Sequence, residues 1–93
     1  MSRPAQHLII RGRVQGVGYR WWTVGEARAR GLCGWVRNRR DGSVEILAIG
    51  DVLALDGLAA ACARGPAAAA VIGVERNTAA DDGSTGFDQR PTI

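Results

Sequence analysis

The chain has 93 residues, 46% of them hydrophobic, which suits one packed core and is too short for two domains, so residues 1–93 are read as a single domain. No stretch approaches the ~20 consecutive apolar residues of a membrane span. The opening "MSRPAQH" also lacks the apolar segment of a signal peptide, so a cytoplasmic protein that binds no membrane is expected. The net charge is +3 and all 12 basic residues are arginine; the planar guanidinium suits carboxylate or phosphate partners, although a bias toward Arg and Ala accounts for the same composition.

Residues 6–14, "QHLIIRGRV", alternate as a strand, with Leu8, Ile10 and Val14 on one side and His7, Arg11 and Arg13 on the other. After the glycine-rich stretch at 12–20, "RWWTVGEARARG" reads as a helix in which Trp21, Val24 and Ala27 share a face. Gly25 weakens that helix by ~1 kcal/mol relative to alanine, and Gly31 is its stop. "GWVRNRR" at 34–40 is a second strand, Asp41-Gly42 a hairpin turn, and "SVEILAIG" the returning strand, with Val44, Ile46 and Ala48 on one face. Asp51 caps a helix over 52–64 with an apolar stripe of Val52, Leu55, Leu58 and Cys62, ended by Gly65 and Pro66. "AVIGVERN" at 70–77 is a fourth strand, and "FDQRP" at 87–91 is short and extended. This order, βαββαβ plus a short extra strand, predicts an α+β, ferredoxin-like α/β sandwich: two helices on one face of a mostly antiparallel sheet.

Cys33 and Cys62 lack metal-ligand spacing, and His7 is the only histidine, so both thiols are expected as small core or boundary residues without a disulfide. The stretch "GRVQGVGYR" at 12–20 fits neither a Walker A loop, which ends in GK[ST], nor the G-x-G-x-x-G dinucleotide loop. Glycine admits positive φ, so consecutive backbone N–H groups can turn inward as an anion-binding nest, next to the unpaired N–H groups of a helix start. A plain strand-to-helix turn explains the same glycines. Arg20 is unfavourably placed for a cation, near the positive end of the helix dipole, and a cation there invites an anionic ligand.

At these residues the chain resembles the acylphosphatase family, whose first loop reads G-x-V-Q-G-V-G-[FY]-R. The second family pattern, G-[FYW]-V-[RK]-N followed by a spaced G-x-V and a final glycine, is matched by "GWVRNRRDGSVEILAIG" at 34–50. "FDQRP" and the Gly65-Pro66 pair also have counterparts, so the resemblance covers nearly the whole chain. It implies hydrolysis of a carboxyl-phosphate bond to a carboxylate and inorganic phosphate, with no metal and no organic cofactor. It also implies that the loop of Gln15, Gly16, Val17, Gly18, Tyr19 and Arg20 binds the phosphoryl group through backbone N–H groups. Arg20 then holds phosphate oxygens and Asn38 orients the attacking water.

The remaining residues fit that chemistry. An acyl phosphate is a mixed anhydride whose carboxylate leaving group needs no general acid, so positioning and charge stabilisation suffice. No Ser-His-Asp set or paired motif carboxylates occur. Asp41 is explained by its turn, Glu45 by a solvent-facing strand position, and Arg37, Arg39 and Arg40 as solvated residues. Tyr19 is expected to anchor the loop through its ring; Trp21, Trp22 and Trp35 read as packing residues, with Trp22 and Trp35 candidates for bordering the acyl group. The alternative is a non-catalytic module of the same fold that binds phosphate or acyl phosphate. RNA binding is disfavoured, because neither "GSVEILAIG" nor "AVIGVERN" carries the aromatics of an RNP1 strand, and "GLCG" at 31–34 links a helix to a strand. A monomer is expected, as no long apolar surface is evident.

Overall fold

The computed structural model describes residues 2–93. The alternation of the first strand, β1 (Ala5–Arg13), places Leu8 and Ile10 on one face, and both are fully buried. The other elements follow as α1 (Tyr19–Ala29), β2 (Cys33–Asn38), β3 (Val44–Ile49), α2 (Val52–Arg64), β4 (Ala70–Thr78) and β5 (Phe87–Gln89). They form one five-stranded sheet in the order β4-β1-β3-β2-β5. The β1–β3, β1–β4 and β2–β3 pairs are antiparallel, and only β5 runs parallel to its neighbour β2. The ferredoxin-like α+β arrangement read from the element order is therefore the observed one.

The register sets Leu8 opposite Ile46 and Ile10 opposite Val44, with Val36 beside Ile46 on β2. These residues join Val24, Ala27, Leu55, Leu58 and Cys62 of the two helices in the main core. The opposite face carries a smaller cluster of Trp35, Leu47 and Ile49, against which Ala5, Cys33 and Ala79 pack. Trp35 is clamped there: its Nε1 donates to Asp82 at 3.2 Å, and the guanidinium of Arg37 stands 4.5 Å from its ring centroid.

The second helix starts and stops where its sequence says. Asp51 accepts hydrogen bonds from the backbone N–H groups of Leu53 and Ala54, and Gly65 ends the helix. Its first residue, Val52, is 55% exposed, so the expected stripe begins only at Leu55. In α1 the buried residues are Tyr19, Thr23, Val24 and Ala27, whereas Trp21 is 77% exposed. The expected Trp21-Val24-Ala27 face is thus corrected. Three residues fall short of a full turn by about 60°, and two such steps carry Trp21 off the buried stripe.

Two further expectations change. The second strand ends at Asn38, and residues 39–43 form the hairpin loop, closed by the Arg39 N–H donating to Ser43 O at 2.9 Å. Glu45 is not solvent-facing: it is buried, and its carboxylate receives Arg37 Nε and His7 Nε2, each at 2.6 Å. Arg37 is correspondingly half-buried and paired. Burial alone would push the Glu45 carboxyl up, but the hydrogen bonds and charge of Arg37 and His7 outweigh it and leave the pKa below the usual glutamate value.

Candidate active site

The loop after β1 turns twice on glycine, at Gly16 (φ 73°) and Gly18 (φ 77°), and both positions would strain any residue with a Cβ. Gly18 is the N-terminal cap of α1 and supplies no side-chain hydrogen bond to the helix start. Among the described residues, no backbone N–H from Gln15 to Trp21 finds a backbone acceptor, and the first loop-to-helix bond is Trp22 N–H to Gly18 O at 3.0 Å. A run of free amides of this kind is a concentrated donor set, and the helix dipole adds positive potential to it.

These amides border a concavity of about 130 Å³ lined by Val14, Gln15, Gly16, Gly18, Tyr19, Arg20, Trp21, Asn38 and Gln89. At ~30 Å³ per liquid water it holds at least about four waters' worth of space, enough for a tetrahedral phosphoryl group. Arg20 enters from the first turn of α1 and is paired with no carboxylate among the described residues. Asn38 enters from the last position of β2, where its own carbonyl accepts Ile93 N–H at 3.2 Å. Asp41 on the neighbouring turn does not compete for the arginine. Its carboxylate accepts from the Ser43 hydroxyl and backbone N–H, which hold its pKa below the usual aspartate value.

Two side chains fasten the loop to its surroundings. Gln15 Nε2 donates to the carbonyls of Arg39 and Ser43 at 2.7 and 2.9 Å, fastening the loop to the β2–β3 turn beside Asn38. Tyr19 is 1% exposed and its hydroxyl donates to Cys62 O at 2.7 Å; burial pushes its pKa up, so the phenol stays neutral. Val17 turns its side chain onto the main core. His7 and Glu45 pair on the other face of the sheet and do not reach the concavity. Among the described residues, no three His, Cys, Asp or Glu side chains sit close enough to hold a metal ion.

A family model described as acylphosphatase matches residues 6–89. The chain belongs to the acylphosphatase family. The acylphosphatase of Acidiphilium cryptum is 49% identical over 88 residues, covering 95% of this chain and 97% of that protein. The acylphosphatase of Nitrobacter hamburgensis is 46% identical over the full length of both chains. The crystal structure of acylphosphatase from Bacillus subtilis superposes with a TM-score of 0.91 at 38% identity, covering 94% of this chain and 98% of that one. This acylphosphatase-family chain is accordingly an enzyme. No helix among its described residues is long and apolar enough to cross a membrane.

Within this family member the structure brings Gln15, Gly16, Gly18, Tyr19, Arg20 and Asn38 around one concavity, across the gap between α1 and β2. The sequence reading omitted three lining residues, Val14, Trp21 and Gln89. Trp21 was assigned to the buried face, and Gln89 reaches the site only because β5 lies beside β2, a parallel pairing that no local pattern in "FDQRP" specifies. Trp35, a candidate for the acyl side, lies on the opposite face of the sheet and lines no part of the concavity.

Proposed function

We propose that the chain acts as a single-domain, monomeric, cytoplasmic acylphosphatase that hydrolyses acyl phosphates to a carboxylate and inorganic phosphate. The observation that carries this reading is the run of free backbone amides from Gln15 to Trp21 bordering a phosphate-sized concavity with Arg20 and Asn38.

In this reading the amides and the Arg20 guanidinium take the phosphoryl oxygens and stabilise charge that spreads over them in a loose, in-line transition state. Asn38, whose carboxamide has no partner among the described residues, accepts a hydrogen bond from water and holds it toward phosphorus. The water oxygen bonds to phosphorus as the bond to the acyl oxygen breaks. The electron pair leaves with the carboxylate, which is stable at neutral pH. An amide is a poor base, so the water proton passes to a phosphate oxygen of the substrate.

Benzoyl phosphate hydrolysis in the presence of a chelator tests this. Arg20→Ala should raise KM and cut kcat/KM by about 10²–10³, the magnitude of losing a preorganised donor. Asn38→Ala should cut kcat by about 10² with little change in KM, because it misplaces the nucleophile. Folded wild-type protein that binds inorganic phosphate but releases none from benzoyl phosphate would sink the enzyme reading and leave a phosphate-binding module.

A further inference from the structure

The concavity that carries Arg20 and Asn38 is small and open to the surface, so the acyl half of a substrate extends onto the surface beside it. Two other grooves flank this end of the molecule. One, lined by Arg11, Gly12, Asp41, Gly42 and Ser43, is polar and shares no residue with the concavity. The other, about 350 Å³, is lined by Trp21, Trp22, Val24, Gly25, Glu26 and Arg28, and it shares Trp21. Trp21 therefore borders both the phosphate site and an apolar groove along α1.

The composition of that groove has a physical logic. Trp21, Gly25 and Arg28 stand at i, i+4 and i+7 on one stripe of the helix. A Cβ built on Gly25 would meet nothing within 4 Å, so the missing side chain leaves an open notch one helical turn from Trp21 and is not a packing necessity. The charged residues at the far end are already committed. Glu26 accepts from Arg30, and Arg28 donates to Phe87 O and pairs with Asp88. The groove floor is thus aromatic and aliphatic, and Trp21 is 77% exposed although it is among the most hydrophobic surfaces a residue can offer.

We propose that Trp21 and the notch at Gly25 form the acyl subsite, which favours substrates with an aromatic or bulky apolar acyl group over acetyl phosphate. This rests on the reading that the adjacent amides and Arg20 hold the phosphoryl group. In-line displacement sends the leaving carboxylate away from the water. Asn38 projects from the β2 wall and Trp21 from the α1 wall, so the indole is free to stack on the departing acyl group. Trp21 would then set specificity without taking part in phosphoryl transfer.

The test compares kcat/KM for benzoyl phosphate and acetyl phosphate in wild type, Trp21→Ala and Gly25→Leu, with the competitive inhibition constant of inorganic phosphate measured in each. Trp21 lies outside the core, so its truncation should leave the fold intact by circular dichroism. The benzoyl-to-acetyl ratio should fall about tenfold in Trp21→Ala, from lost ring stacking and burial, with phosphate inhibition retained. Gly25→Leu, which fills the notch, should lower the same ratio while phosphate still inhibits. An unchanged ratio in both variants, or an equal loss on both substrates, overturns the acyl subsite. The phosphate reading fails separately, if inorganic phosphate inhibits wild type and Arg20→Ala equally.

Discussion

Replacing Tyr19 with phenylalanine should destabilise the protein far more than the loss of one surface hydroxyl. The reason lies at the end of α2. A helical carbonyl normally accepts from the N–H four residues on, and for Cys62 that residue is Pro66, which has none. Among the described residues the only donor to Cys62 O is the Tyr19 hydroxyl, at 2.7 Å. Both groups are sealed from water, with Tyr19 1% and Cys62 0% exposed. Phenylalanine keeps the ring in place against Gly65, where an added Cβ would come within 2.9 Å of Tyr19 Cε2, but it leaves a buried carbonyl without a partner. That costs about 1–3 kcal/mol. In a domain of this size each kcal/mol moves the melting temperature by about 4–8 °C, so Tyr19→Phe should melt roughly 4–24 °C below wild type. Scanning calorimetry with a urea titration gives the answer. A melting temperature within about 1 °C of wild type, at unchanged urea m-value, would refute the claim that the phenol completes α2.

Other expectations follow from single contacts. Asp51→Ala removes the acceptor for Leu53 and Ala54 N–H and should cost about 1 kcal/mol, read as a shift in the urea midpoint. Glu45→Gln leaves Arg37 and His7 facing a neutral amide in a mostly buried site and should cost about 1–3 kcal/mol at pH 7 by the same titration. Because the folded Glu45 pKa lies below its ordinary 4.5, its contribution is full above that pH and is lost as pH falls through the folded value. Stability of wild type should therefore drop below about pH 4.5 more steeply than that of Glu45→Gln, and parallel pH profiles would count against the pairing. Burial pushes the Cys62 thiol up to about 11, while Cys33 is half-exposed, so a thiol reagent at pH 8 should label Cys33 in the native protein and both after denaturation.

Local chemistry was readable and long-range coverage was not. The bounds of α2 follow from Asp51, the apolar spacing of Leu55, Leu58 and Cys62, and the Gly65-Pro66 stop, all within one stretch of chain. The glycine loop was legible because positive φ restricts the residue type at Gly16 and Gly18. Glu45 was misread because alternation says which face a residue joins, not whether that face is covered. Its shielding comes from Arg37 on β2 and, diagonally, from His7 on β1. Trp21 was misread because an apolar residue at an approximate helical spacing looks like core, and only the angular position on α1 separates it from Val24.

The central place of β1 bears on how quickly a working molecule can form. The strand that delivers the glycine loop is paired on one side with β3 and on the other with β4, Gln6 opposite Thr78 and Leu8 opposite Arg76. Its ladder closes only when segments some seventy residues apart in the chain meet, and such non-local pairing slows folding relative to helical proteins of the same size. The loop amides can be held in place only once that ladder exists. Recovery of activity after dilution from urea should therefore follow the slowest phase that forms the sheet, with no earlier burst of turnover.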